Sequence, residues 1–180
     1  KMINDRNERI RMTAVVALAD KIEVYPELGD PLKRYLNEGE PAVKVAILSG
    51  LGRVDGAQAL SMIVPFASDP MPEVRQQAVL SLGQIGDPRV LRVISYKASD
   101  DDWNVRQASA IALGMINAEE SIGPLKNLVR DTSPEVRHSA LMAFAQIPNA
   151  PLADLKPVLS DADWRVRFAG AQVLSGNAGS

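Results

Sequence analysis

One pattern returns six times along this chain: an acidic residue, a β-branched residue followed at once by a base, then a leucine-type residue beside a small one. The β-branched and basic pairs are Ile10-Arg11, Val43-Lys44, Val74-Arg75, Val105-Arg106, Val136-Arg137 and Val166-Arg167. Successive pairs are 33, 31, 31, 31 and 30 residues apart. Self-similarity at such a period marks a stack of supersecondary units, none of which buries a core alone. The chain is therefore expected to fold as a solenoid.

Aligned on the β-branched residue, the copies read as helices. Five places before it stand Asp5, Glu38, Asp69, Asp100, Asp131 and Asp161. Eight places after it stand Leu18, Leu51, Leu82, Leu113, Phe144 and Leu174, each followed by a small residue: Ala19, Gly52, Gly83, Gly114, Ala145 or Ser175. Offsets 0, +4, +7, +8 and +11 are mostly apolar or small, which is one face of an α-helix. These second helices of the repeats are expected near 7–20, 41–53, 72–85, 103–116, 134–146 and 164–175. Pro41, Pro72 and Pro134 stand at first helical positions, where a missing N–H costs nothing. Trp103 and Trp164 take that place in two other copies, and Asp102, Ser133 and Asp163 precede as N-caps. Shorter apolar segments near 26–37, 57–68, 88–99, 119–130 and 150–160 read as first helices. Gly86-Asp87-Pro88 and Asn149-Ala150-Pro151 read as turns between repeats. The expectation is one all-α domain over 1–180, five helix pairs preceded by an unpaired helix.

Composition narrows the function classes. Aromatics make up only 4% of the residues, so the core must be built from Ala, Val, Leu and Ile, which suits close helix stacking. A net charge of −2 argues against a general nucleic-acid binder. Without cysteine there is no disulfide frame, thiolate metal site or cysteine nucleophile, and the compartment stays open, the cytoplasm being the simpler expectation. No apolar run is long enough to span a bilayer, and no leader is recognised.

The stretch DPMPEVRQQAVLSLGQI, Asp69 to Ile85, resembles a HEAT repeat, and more narrowly the short HEAT-like repeat named after phycobilisome lyases. DDDWNVRQASAIALGMI, DTSPEVRHSALMAFAQI and DADWRVRFAGAQVL resemble it too. The first two copies depart most, with Glu38 and Lys44 in place of the usual Asp and Arg. The resemblance implies a HEAT-like or armadillo-like α-solenoid, a right-handed superhelix of antiparallel helix pairs, with second helices on its concave side. It also implies a structural ladder in which each Asp accepts hydrogen bonds at its helix start and from an Arg of its own or the adjacent repeat. Its members here are Asp69, Arg75, Asp100, Arg106, Asp131, Arg137, Asp161 and Arg167.

Catalysis finds no constellation. His138 is the one histidine, which excludes a His-pair metal site, and Ser99-Asp100-Asp101-Asp102 lacks the alternating spacing and glycine of a calcium loop. No catalytic residue, cofactor site or metal site is expected.

A helical wheel points offsets +2, +6 and +9 away from the core. Offset +6 reads Val16, Ser49, Leu80, Ile111, Met142 and Gln172, and offset +2 reads Met12, Val45, Gln76, Gln107, His138 and Phe168. Neither row carries a charge. A charge-free stripe either packs between neighbouring helices or receives a partner. The expected partner face comprises Gln76, Leu80, Gln107, Ile111, His138 and Met142, edged by Trp103 and Trp164, and takes a helix or peptide of another protein. This makes the chain a non-catalytic interaction scaffold. A bilin-lyase-type subunit handling a chromophore and a HEAT-like nucleic-acid or damaged-base binder are the alternatives. Arg53 is the nearest free base for the latter. At the ends, offsets +3 and +5 are Thr13 and Val15 at the start and Ala169 and Ala171 before the tail Gly176 to Ser180. These small or apolar residues carry no added charge, so the ends are expected to self-associate or to continue into a longer chain.

Overall fold

The computed structural model describes residues 6–54 and 56–176, so Asp5 and the tail after Gly176 lie outside the described residues. The described residues are helical and form two compact units, 1–85 and 86–180.

In the first unit, α1 spans Glu8–Ala17, α2 Gly29–Glu38, α3 Pro41–Leu51, α4 Ala57–Ile63 and α5 Pro72–Ile85. The second helices α1, α3 and α5 pack in that order, with α2 and α4 against them. The α-helix expected over 7–20 ends at Ala17 and gives way to a 3-10 turn, Ala19–Lys21. Val15, Leu32, Leu36, Ile47, Leu48, Leu51, Ile63, Val74 and Leu82 form the fully buried core. Each such side chain contributes about 1.5–3 kcal/mol over its exposed state.

Tyr35, also in this core, has its hydroxyl buried without a hydrogen-bond partner. A buried polar atom left unpaired costs about 1–3 kcal/mol. Tyr35→Phe is therefore expected to raise the melting temperature, and an equal or lower melt for the variant would contradict this reading.

In the second unit, α6 spans Leu91–Lys97, α7 Trp103–Ile116, α8 Ile122–Leu128, α9 Pro134–Gln146 and α10 Trp164–Leu174. The second helices α7, α9 and α10 stack in order, and α6, α8 and the segment Leu152–Ser160 cover one side of them. That last segment, read as a first helix from the sequence, is a 3-10 helix containing Pro157. Proline lacks the N–H an α-helix needs and clashes with the preceding turn, so the tighter coil forms instead. Asp102 and Asp163 cap their helices by accepting from Asn104 N–H and Arg165 N–H, both at 2.8 Å. Asn117 ends α7 in the left-handed region at φ 54°, a conformation asparagine tolerates.

The small residue of each repeat has a position the helical wheel misassigned. Offset +9 was expected to face solvent, yet Ala19, Gly52, Gly83 and Gly114 are buried. A Cβ on Gly52 would lie 2.8 Å from Ser81 Cβ, and one on Gly114 would lie 2.8 Å from Ala143 Cβ. Ser81 and Ala143 hold offset +7 of the following second helix. Likewise a Cβ on Gly50, at offset +7 of α3, would lie 2.6 Å from Ala19 Cβ. At the α1–α3 and α3–α5 joints of the first unit and the α7–α9 joint of the second, second helices thus meet +9 against +7, near enough to require small residues on both sides. Ser81 adds a buried hydrogen bond across this joint, donating to Leu48 O at 2.8 Å.

The joint also separates offsets +3 and +5, which the sequence reading treated together. Val15 (+5) is covered because α3 lies on that side, and Ala169 (+3) is covered because α9 lies on the other. Only Thr13 and Ala171 of the four are exposed. Ile10, expected in the core, is 42% exposed.

Candidate interaction face

The ladder residues come first, because they fix which charges are already paired. Arg106 forks onto Asp131, Nε donating to Oδ2 at 2.6 Å and Nη2 to Oδ1 at 2.9 Å. Arg137 does the same to Asp161 at 2.8 and 2.7 Å. Each Arg therefore reaches the carboxylate of the following repeat. Its Nη1 serves its own repeat: that of Arg137 donates to Asp131 O at 2.8 Å and Thr132 O at 3.1 Å. Each carboxylate also accepts from the backbone N–H two residues on, Asp131 from Ser133 and Asp161 from Asp163. In the first unit Lys44 takes the Arg role, donating to Asp69 at 3.0 Å, while Arg75 Nη1 caps Asp69 O at 3.0 Å. Asp100 accepts from Asp102 N–H at 3.1 Å, and Arg167 Nη1 donates to Asp161 O at 2.8 Å.

These contacts shift the acid–base equilibria. Burial pushes Asp131 upward, but the hydrogen bonds from Arg106 and Ser133 together outweigh it and hold the carboxyl below its ordinary value. The Arg137 fork holds Asp161 low against its own burial. Both guanidiniums are held above their ordinary value by the carboxylates they bind. Bidentate Arg–carboxylate pairs of this kind fix orientation as well as adding energy.

A groove of about 1100 Å³ beside the outer layer of the second unit is lined in part by Lys126, Asp154, Arg137 and Asp161. Most of its charges are engaged: Lys126 pairs with Asp154 at 2.7 Å and Arg137 with Asp161, while Arg130, also in the lining, is exposed. No group of three or more metal-ligating side chains occurs among the described residues.

The residues expected to form a partner face lie at least partly exposed along the second helices. On α7, Trp103, Gln107, Ile111 and Met115 follow one another at four-residue intervals, and all are at least partly exposed. The same stripe on α9 is Pro134, His138, Met142 and Gln146, and on α10 Trp164, Phe168 and Gln172. None of these eleven positions holds Asp, Glu, Lys or Arg. Ile111 and Met142 are half-buried, while Trp164 is 65% and Phe168 59% exposed. Gln107 is partly committed, its Nε2 donating to Ser139 Oγ at 3.1 Å. In the first unit, Gln76 and Leu80 hold the corresponding places on α5, both half-buried.

Sequence reasoning left Met115 and Phe168 out of the candidate set. Extending the four-residue step from Ile111 would have found Met115, and Phe168 already stood in the charge-free +2 row.

The family model for HEAT repeats matches residues 29–96 and 93–175. No curated protein matches the chain. Among solved structures, Escherichia coli YibA superposes with a TM-score of 0.70 at 20% identity, covering 97% of this chain and 67% of that one. The CpcE–CpcF complex of phycocyanin lyase from Nostoc sp. PCC7120 gives 0.67 at 20% identity, over 81% of this chain and 97% of that one. A designed armadillo repeat protein in complex with the peptide (KR)4 gives 0.64 at 19% identity, over 98% and 96%. At these identities the likeness is one of fold. With its family match spanning most of its length, the chain belongs to the HEAT-repeat family and is an α-solenoid.

Proposed function

We propose that this chain is a non-catalytic interaction scaffold. Its uncharged face on α7, α9 and α10 receives an apolar helix or an extended peptide from a partner protein. The observation that carries this reading is the run of eleven charge-free positions, all at least partly exposed, with Trp, Phe, Ile and Met among them. Aromatic and methionine side chains supply contact area that adapts to ligand shape, and glutamine amides bond a peptide backbone. The designed armadillo protein with a bound peptide supports a scaffold of this fold in that role. Its peptide is basic, whereas the face here offers no carboxylate, which favours an uncharged or apolar ligand. The same stripe offers no Lys or Arg for a phosphate backbone, which disfavours a nucleic acid.

A test begins with peptides selected from a displayed library against the 180-residue chain. Selected sequences should carry apolar residues at helical or alternating spacing. Ile111→Asp combined with Met142→Asp should weaken them by about 100-fold, as expected for two hot-spot losses, with the helical circular dichroism unchanged. Unchanged affinity in that variant would end the proposal. Unfolding would show the two residues to be core.

A further inference from the structure

The uncharged stripe crosses three successive second helices of one unit, α7, α9 and α10, and its residues align in rows. Trp103, Pro134 and Trp164 stand two places before the β-branched residue of their repeats. Gln107, His138 and Phe168 stand two places after it. Trp103 is 42% exposed, Trp164 65% and Phe168 59%, and His138 is exposed as well. The side chains of Trp103, Trp164 and His138 form no hydrogen bond to another described residue. The rows therefore offer aromatic faces and N–H donors without any charge.

Packed helices lie about 8–10 Å apart, so each row repeats at that step. One turn of a polyproline II helix, three residues, advances about 9 Å and matches it. A β-strand returns a side chain to the same face after about 7 Å, out of step with the rows. Two turns of an α-helix, about 11 Å, come near the step. An α-helix satisfies its own carbonyls, however, and leaves the Trp and His donors nothing to bond. A polyproline II segment has no internal hydrogen bonds, so its carbonyls are free to accept. Its prolines bring no N–H that would need an acceptor, and the stripe holds no carboxylate to supply one. Aromatic-lined surfaces suit such a segment, which is stiff before it binds and loses little entropy.

We infer that the occupant is a proline-rich segment of a partner protein in the polyproline II form. It lies across α7, α9 and α10 with one turn to each helix. The inference rests on the interaction-face reading and names the class of ligand that face takes.

Both tryptophans of the chain lie in the rows, so their emission reports occupancy. Three blocked, uncharged peptides serve as probes: three Pro-Pro-Leu units in series, an isomer with its leucines consecutive, and a helix-forming peptide of Ala, Leu and Gln. The Pro-Pro-Leu peptide should shift the emission to saturation. It should bind about tenfold more tightly than its isomer, the size of one lost anchor contact. Trp164→Phe keeps an aromatic face and removes an N–H. It should weaken that peptide about fivefold, read on Trp103, with the helical circular dichroism unchanged. Equal affinity for the isomer overturns the inference, as does full affinity in Trp164→Phe or binding without a change in emission. Binding of the helix-forming peptide alone, lost in the Ile111→Asp and Met142→Asp double variant, overturns it but keeps the interaction-face reading. Binding that this double variant leaves untouched removes both.

Discussion

Arg137→Ala should lower the unfolding free energy by about 3 kcal/mol, and Arg106→Ala by a similar amount, because each leaves a largely buried carboxylate without its fork. The Arg137 and Asp161 side chains are only 14% and 12% exposed, so water replaces the lost donors poorly. The same substitutions free the carbonyls of Asp131 and Thr132, or of Asp100 and Asp101, that Nη1 had capped. Arg167→Ala is the internal control: it removes the carbonyl caps alone, at an exposed site, and should cost about 1 kcal/mol or less. Chemical denaturation of the three variants checks the order. An Arg137→Ala loss no larger than that of Arg167→Ala would show that the fork contributes little.

The same pairs set an acid limit. Asp131 and Asp161 titrate below their ordinary value in the fold. Their contribution is therefore fully present above the unfolded-state value of about 4 and is lost as pH falls through the folded values. Wild-type melting should hold from neutral pH down to that region and then drop. Arg137→Ala should begin lower and drop less.

Gly114→Ala should destabilise by about 2 kcal/mol, although glycine to alanine within a helix ordinarily stabilises. The new Cβ would lie 2.8 Å from Ala143 Cβ and 3.1 Å from Ala143 Cα, so backbone, not a flexible tip, must move. Gly123 in α8 has nothing within 4 Å of its added Cβ, and Gly123→Ala should raise stability by about 0.5–1 kcal/mol. Opposite signs for the two substitutions would support the +9 to +7 joint. A stabilising Gly114→Ala would show that α7 and α9 can separate at no cost.

Helix placement was legible because its signals are local. Proline or tryptophan at the first position and a helical apolar period locate α5, α7 and α9 without any neighbour, with an Asp or Ser cap before the last two. What failed was relational. A single helical wheel points Gly114 toward solvent, and only the approach of Ala143 shows that this arc is a joint. Val15 and Ala169 were assigned to open ends because a wheel does not say which side the next helix takes. The ladder acids and bases were visible, but whether Arg106 holds the carboxylate of its own repeat or of the next is a matter of stacking, decided by its fork on Asp131. In Leu152–Ser160 the apolar spacing suggested an α-helix, and Pro157 shifted it to a tighter coil. The uncharged stripe proposed as an interaction face was legible as an absence of charge, a property that belongs to rows and not to single residues.

A photo-crosslinking amino acid placed in turn at Ile111 and at Tyr96 gives the most direct test of that face. Tyr96 is 77% exposed on the first helix α6, so its accessibility exceeds that of half-buried Ile111. With a selected peptide bound, the account predicts efficient adducts from Ile111 and none from Tyr96. Adducts from Tyr96 with none from Ile111 would contradict it, because the peptide would then lie along the first helices and the uncharged stripe would have no part in binding.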